Sequence, residues 1–517
     1  MNTANKFKVE RTYDLEKVFS QLFVQGKTEK IFDNLYQLII KEDNILLALK
    51  NTRLNIGRRT KGIDGKTISD YENLPAEKII KLVKRRFNNF KPLKVRRIFI
   101  PKDNGTQRVI GILSVEDRII QQCIKQVLEP ICEAKFHPNS FGFRPLRSTR
   151  HAVNQMIRLL QMTKYDYCVD IDIKNFFDNV NHEILINQIY NFGIRDQKLL
   201  SIISKILKVY VEGEGIKTAG LVQGANLSPL LSNIVLNDLD RWLNLQCKTE
   251  NLPSADNRIY FVRYADDFKI LCKNFSDAFK VFNAVKIWLK ENLKLDISPD
   301  KSKILNLKTQ GSEFLGFKIK VTAKNGVYSV ESHISDGNKL KIQNNLCSII
   351  SRIGNGGKNA EQVLKTLNQQ IILAHSYYQS ASHVQQDFIA IAESCQNLID
   401  ERLNNFAEKV PFSFLGKNIM TYKINDTILI PPECVTHKRL ENLPHNINIY
   451  APASLKKCST GKRHKFSKTK YKFRQMQNSL SKIETSAADK KSSENGMAAT
   501  IKKYFSNFLN AVFAGTE

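Results

Sequence analysis

The stretch Ile259-Tyr260-Phe261-Val262-Arg263-Tyr264-Ala265-Asp266-Asp267-Phe268-Lys269-Ile270-Leu271 places two adjacent carboxylates at a tight turn between two apolar strands. Like charges that close repel, and no packing gain offsets the cost, so a bound cation is the natural compensation. Taken alone, the pair reads as readily as a solvated hairpin turn, because Asp is a common turn residue. A third carboxylate in a matching setting shifts the balance. In Tyr167-Cys168-Val169-Asp170-Ile171-Asp172-Ile173-Lys174-Asn175-Phe176-Phe177-Asp178 an apolar strand carries Asp172 to its end, then breaks into a polar, aromatic turn before a helix beginning near Asn181. Acids at the ends of two strands can converge on two divalent ions about 3.5–4 Å apart, which activate an attacking hydroxyl and stabilise a leaving pyrophosphate oxygen. Mg²⁺ suits such a site because it takes oxygen ligands and keeps positions for water and substrate phosphates. Nucleotidyl transfer is therefore the first expectation.

Composition agrees with a polyanionic partner. Lys and Arg total 79 against 50 acids, a net charge of +29 that exceeds what solubility alone requires. The 517 residues allow two to four domains, and 42% apolar content can supply sizeable cores. No uninterrupted apolar run of about 18 residues is present to span a bilayer. The start, MNTANKFKVERTYD, has no apolar core of the signal-peptide kind, so a cytoplasmic protein with no membrane partner is expected. Nine cysteines at irregular spacing argue for reduced thiols rather than a disulfide framework. Cys434 and His437, with Cys458 and His464 further on, have the ligand types for zinc but an unusual spacing.

Helical periodicity runs over residues 15–50 and again around 76–90. Residues 94–113 alternate as two strands around Lys102-Asp103-Asn104-Gly105, a basic hairpin suited to clamping phosphate or an ordinary solvated one. The loop from His137 to Ser148 mixes aromatics and arginines. It can stack on and pair with a nucleic-acid strand, or be pinned into the core by its Phe residues. Gln223-Gly224 precedes a strongly apolar helix, bringing an amide and bare backbone close to a ligand. A helix at 277–292, a strand-turn-strand over 293–304 and a strand pair from Phe314 to near Val330 follow. Residues 336–408 read as helical with a break at Gly354-Asn355-Gly356-Gly357. Between Lys456 and Arg474 lie nine Lys or Arg and no acid, the pattern of a basic mobile arm or a solvated linker.

The ordered motifs resemble a reverse transcriptase of the group II intron-encoded reverse transcriptase/maturase lineage over about residues 40–405. They are Thr60-Lys61-Gly62-Ile63-Asp64-Gly65, Arg97-Ile98-Phe99-Ile100-Pro101-Lys102 with Gln107-Arg108, Ser140-Phe141-Gly142-Phe143-Arg144-Pro145, the segment around Asp172, Gln223-Gly224 with Leu227-Ser228-Pro229, Tyr264-Ala265-Asp266-Asp267, and Phe314-Leu315-Gly316-Phe317. The resemblance implies an α+β right hand with fingers, an antiparallel-sheet palm, a helical thumb and a basic C-terminal extension. The expected divisions are 1–90, an N-terminal helical extension and start of the fingers; 91–330, fingers and palm; 331–410, thumb; and 411–517, a basic region. It implies two Mg²⁺ on Asp172, Asp266, Asp267 and the carbonyl of Ile173. Lys102 and Arg108 would grip the incoming triphosphate, Gln223 would position the nucleotide, and Phe177 would exclude a 2′-hydroxyl. Lys301 is a candidate proton donor to pyrophosphate, or a surface lysine in a turn. Arg144, Phe314, Leu315 and Gly316 are expected nucleic-acid contacts, the last three as a primer grip.

The resemblance thus implies an RNA-directed DNA polymerase whose partners are an RNA template, such as intron RNA, a DNA primer or target, and dNTPs, with a role in intron splicing and mobility. Its alternatives are a domesticated relative in phage defence or beside a CRISPR system, and a maturase that only binds RNA. Two departures stand out. Ala225-Asn226 replaces the family's second glycine, adding a Cβ where backbone approach is expected to be tight. No paired-cysteine nuclease pattern follows residue 411, so DNA cleavage by this chain is not expected.

Overall fold

The computed structural model describes residues 3–101, 105, 107–248, 259–353, 360–404, 407–414 and 417–434. The N-terminal periodicity becomes helices Thr3–Gly26, Leu35–Ile39, Glu42–Leu54 and Ala76–Asn88, gathered around the helix Val115–Glu133. Ile119, Ile120, Cys123, Ile124, Val127, Leu128 and Ile131 form one broad apolar face of that helix and are all buried, and Arg118, Gln121, Gln122 and Gln126 on its polar side are buried as well. A helix covered on both sides lies inside the domain, its polar side chains taken up by hydrogen bonds such as that from Gln126 Nε2 to the Asn44 carbonyl at 2.7 Å. Its start is fixed by the Ser114 hydroxyl, which accepts from the Asp117 N–H at 3.2 Å.

Fourteen strands punctuate the described residues. Strands β1 (Arg96–Pro101) and β2 (Gln107–Ile112) form the basic hairpin, paired from Arg96 with Ile112 to Pro101 with Gln107. Strand β3 (Tyr167–Ile171) carries Asp172 just past its end, and β4 (Tyr210–Val211) with β5 (Gly215–Ile216) make a small ribbon. Strands β6 (Tyr260–Tyr264), β7 (Asp267–Cys272) and β8 (Lys303–Asn306) join β3 in an antiparallel sheet of order β6-β7-β3-β8. Then β9 (Ser312–Phe314), β10 (Phe317–Lys324) and β11 (Val327–Ile334) form a sheet of order β11-β10-β9. The last group is β12 (Glu408–Phe414), β13 (Lys417–Ile424) and β14 (Thr427–Ile428).

The four-stranded sheet lies between two cores because successive strand residues face opposite sides. Val169, Ile171, Phe268 and Ile270 belong to the core of the N-terminal helices and the helices Ser228–Lys248 and Phe275–Trp288. Cys168, Val262 and Leu271 face a second core with Phe314, Phe317 and the helices Thr149–Thr163, Asp336–Ile350, Ala360–Tyr378 and Val384–Leu403. The first core runs without interruption from Phe19 to Ile297, across the expected division at residue 90.

Local readings needed two corrections. Leu289–Leu293 is a π turn ending the helix Phe275–Trp288, so of the strand expected from 293 only Ile297 bridges, to Ile173. The pair β10–β11 continues to Ile334. The break at 354–357 and residues 435–517, with the basic arm, lie outside the described residues. Among the described residues, no helix is long and apolar enough to cross a membrane. None of the seven described cysteines is in a disulfide.

Candidate active site

Tyr264 pairs with Asp267, leaving Ala265-Asp266 as a two-residue turn. Ala265 takes φ +57°, a conformation that such turns usually give to Gly, Asn or Asp. The turn is held from beneath. Arg263, 1% exposed, donates from Nε to Asp240 Oδ1 at 2.7 Å and from Nη2 to Oδ2 at 2.5 Å. Its Nη1 donates to the Ala265 carbonyl at 2.8 Å and to Asn233 Oδ1 at 3.1 Å. Asn233 in turn donates to the Gly142 carbonyl at 2.8 Å. At Gly142 a Cβ would fall 2.3 Å from the Ala265 nitrogen, so this position needs glycine for the loop to pass under the turn.

Pairing of Ile171 with Phe268 puts Asp172 opposite Asp267. Asp170 and Lys269, one pair further back, share the same face. The Lys269 ammonium lies 3.2 Å from Asp170 and 3.2 Å from Asp267. Desolvation opposes that charge, but Asp170 and Asp267 outweigh it and hold the lysine well above its ordinary pKa. Desolvation raises Asp266 above its ordinary pKa, and the Asp172 charge raises it further. Asp267 is raised by desolvation too, with Lys269 opposing. Carboxylates held above their ordinary values at one end of a sheet are a strained anionic cluster that a divalent cation relieves.

Three hard oxygen ligands fit Mg²⁺ by type, and the backbone offers a fourth. Segments 172–174 and 296–298 are joined by Lys174 N–H to the Asp296 carbonyl and Ser298 N–H to the Asp172 carbonyl, both at 2.8 Å. Neither bond uses the Ile173 carbonyl. Ser302 Oγ accepts from the Asp172 N–H at 3.1 Å. Lys301 reaches to 3.7 Å of the Asp172 carboxylate while staying largely exposed.

Phe177 stands edge-on to Phe143 at 6.5 Å and to Phe176 at 5.5 Å, and its carbonyl accepts from Leu221 N–H at 2.6 Å. The Gln223 carbonyl accepts from Gly111 N–H at 2.8 Å, docking its loop onto β2, the strand that carries Arg108. Arg108 is exposed, and its charge lowers Asp266. Ala225 resolves the expected departure: its side chain is buried with Val95, Leu113, Val209 and Val211, so the extra Cβ fills a core. Lys102 lies outside the described residues.

Two expected nucleic-acid contacts are corrected by burial. Arg144 has a side chain 3% exposed, donates to both Glu133 carboxylate oxygens, and binds the His137 and Ser140 carbonyls at 2.7 and 2.8 Å. All three guanidinium nitrogens donate to partners inside the protein. Phe314 is fully buried in the second core. Leu315 and Gly316 remain half-buried at the turn between β9 and β10, where the Leu315 carbonyl accepts from the Tyr377 hydroxyl at 3.0 Å. Tyr377 stacks on Phe317 as well, whereas His375 is half-buried with Nε2 2.6 Å from the Pro432 carbonyl, and desolvation holds its pKa down to about 4. The Asp170–Lys269 pair and the Arg263–Asp240–Asn233 support escaped the reading of the sequence. A lysine inside Phe268-Lys269-Ile270-Leu271, apolar on both sides, was the available signal.

Residues 100–319, which include all three carboxylates, match the family model described as reverse transcriptase (RNA-dependent DNA polymerase). Protein YkfC of Escherichia coli (strain K12) is 30% identical over 318 residues, covering 55% of this chain and 82% of that protein. The chain belongs to the group II intron reverse transcriptase/maturase family. Another member is the group II intron-encoded protein LtrA of Lactococcus lactis subsp. cremoris, 31% identical over 354 residues. That match takes in 57% of this chain and 58% of LtrA, so the chain spans little more than half of that relative's length. The maturase-like protein 1 of Euglena gracilis is 26% identical over 344 residues, covering 63% of this chain and 66% of that protein. Family membership accounts for the motifs occurring together and in order.

Proposed function

We propose that this member of the family is an RNA-directed DNA polymerase that extends a primer on an RNA template, and that it binds intron RNA to assist splicing and mobility. The observation that carries the reading is the register that sets Asp172 opposite Asp267, with Asp266 on the adjoining turn and all three at one sheet end. In this reading the β1–β2 hairpin belongs to fingers, the four-stranded sheet to a palm and the helices from Asp336 to a thumb.

Asp172, Asp266, Asp267 and the Ile173 carbonyl would hold two Mg²⁺, which when bound supply activation of the primer hydroxyl and charge stabilisation at the leaving oxygen. Arg108 binds the triphosphate, with Lys102 from the same hairpin. The Phe177 ring excludes a ribose 2′-hydroxyl, and Gln223 orients the base-paired nucleotide. Lys301, next to Asp172, donates a proton to departing pyrophosphate. Leu315 and Gly316 support the primer end. Names of relatives such as LtrA, an intron-encoded protein, support the intron setting, as does the net charge of +29.

Primer extension on an RNA template with dNTPs and Mg²⁺ tests the reading. The parent chain should make cDNA and Asp266→Ala should make none while retaining RNA binding. Extension by folded Asp266→Ala would remove the site assignment, and RNA binding without synthesis by the parent would leave an RNA-binding maturase.

A further inference from the structure

Strand β11 turns Val330, Ser332 and Ile334 inward and sets Glu331 and His333 on its other face. There His333 meets His383, the residue preceding the helix Val384–Leu403. Their imidazoles stack with centroids 4.5 Å apart and planes inclined by 21°. Glu331 completes a group of three half-buried side chains, each offering a ligand atom within 4.8 Å of the other two.

Both imidazoles are oriented from behind. His333 Nδ1 faces Asp387 Oδ1 at 3.3 Å, and His383 Nδ1 faces Ser382 Oγ at 2.9 Å. Asp387 is itself fixed by the Ile334 N–H at 2.7 Å and by Lys339 at 2.9 Å. In the tautomer in which Nδ1 donates to these oxygens, each Nε2 keeps a lone pair for a metal ion. A carboxylate or hydroxyl behind a ligating imidazole is the common outer-shell arrangement. Glu331 Oε1 accepts from Thr322 Oγ1 at 3.1 Å, which leaves Oε2 for a ligand.

We infer that Glu331, His333 and His383 bind a zinc-class transition-metal ion, with water in the fourth position, and that the ion ties the β10–β11 hairpin to the start of the helix Val384–Leu403. Two imidazoles and one carboxylate select this class over Mg²⁺. Ligand bonds of about 2.0–2.1 Å in a tetrahedron separate ligand atoms by roughly 3.4 Å. The three groups therefore close by at most about 1.4 Å on binding, with the stacked rings tilting apart. Lys318 and Lys320 stand across the hairpin from His333 and Glu331. Asp336 meets the Lys318 charge at 2.5 Å, while Lys320 adds a repulsion that keeps the affinity modest. The site is on a different sheet from Asp172, Asp266 and Asp267, and it does not depend on the polymerase reading.

Zn²⁺ titrated calorimetrically into the metal-free full chain, with Co²⁺ absorption in parallel, tests the inference. The parent should bind with a Co²⁺ spectrum of nitrogen and oxygen ligation. His333→Ala and His383→Ala should each weaken binding by at least about tenfold. Glu331→Gln, which keeps a partner for Thr322, supplies a variant of minimal disturbance and should weaken it as well. A thiolate charge-transfer band in the parent would assign the ion to Cys434 or Cys458 and overturn the inference. So would undiminished affinity in the folded His333→Ala/His383→Ala double variant, or the absence of binding by the parent.

Discussion

Lys269 holds its ammonium 3.2 Å from Asp267, so one carboxylate at the sheet end already has a protein cation behind it. The same ammonium serves Asp170, and both Lys269 and Asp170 are nearly closed to solvent. Lys269→Met should therefore destabilise the chain by roughly 3 kcal/mol, chiefly by stranding Asp170 as a buried charge. Adding Asp170→Asn should recover most of the loss. Denaturant unfolding of the two single variants and the double variant closes this cycle, and additive losses would mean that the pair is not coupled.

Asp266→Asn should make the metal-free chain more stable at neutral pH. Desolvation, then the Asp172 charge, raises the folded-state pKa of Asp266 above the ordinary 3.8, so the folded chain holds this proton more tightly than the unfolded chain. The stability contributed by the group is full below 3.8 and lost as pH rises through the raised value. The advantage of the Asn variant should thus be complete at pH 7 and vanish toward acid. Melting curves in chelator across pH measure it, and added Mg²⁺ should narrow the gap by stabilising the parent more than the variant.

Breaking the support beneath the turn should cost more than ordinary core changes do. Arg263→Leu leaves Asp240 fully buried without its partner, a loss of about 3–5 kcal/mol. Arg263→Lys retains a charge but cannot reproduce four directed bonds, so it should fold better than the Leu variant and still lose polymerase turnover. Equal turnover in Arg263→Lys and the parent would show that the turn keeps its shape without the guanidinium fork.

Phe177→Ala should lower discrimination against ribonucleotides by at least about tenfold, within the range that one missing group in a shaped pocket produces. Single-nucleotide incorporation with matched dNTP and rNTP measures it. Unchanged discrimination would transfer the sugar-selecting role to another residue, with Phe143, the ring nearest Phe177 across the site, first in line.

What the sequence disclosed depended on range. The strand pattern around Asp172 and Asp266-Asp267 is local, and so was the hairpin β1–β2. The Asp170–Lys269 pair required the register of two strands about a hundred residues apart, which no local pattern states. Arg144 was misjudged for a different reason. Arginine among aromatics looks the same whether it stacks on a base or closes onto a carboxylate, and here Glu133, at the end of the preceding helix, takes it. Ala225 shows the converse case, since only the packing of Val95 and Val211 around it reveals that its methyl faces away from the loop surface.

Ala265 carries the turn at φ +57°, where a glycine would be at ease. A left-handed alanine costs about 1–2 kcal/mol, yet it denies the unfolded chain the freedom a glycine would give. Arg263 and Gly142 keep it there, so the aim of the two aspartates is fixed during folding and not when substrate arrives. Ala265→Gly would make the bend easier to form and leave it a hinge. The alanine makes it a bracket, and the two-ion reaction proposed above would be served by parts that do not move.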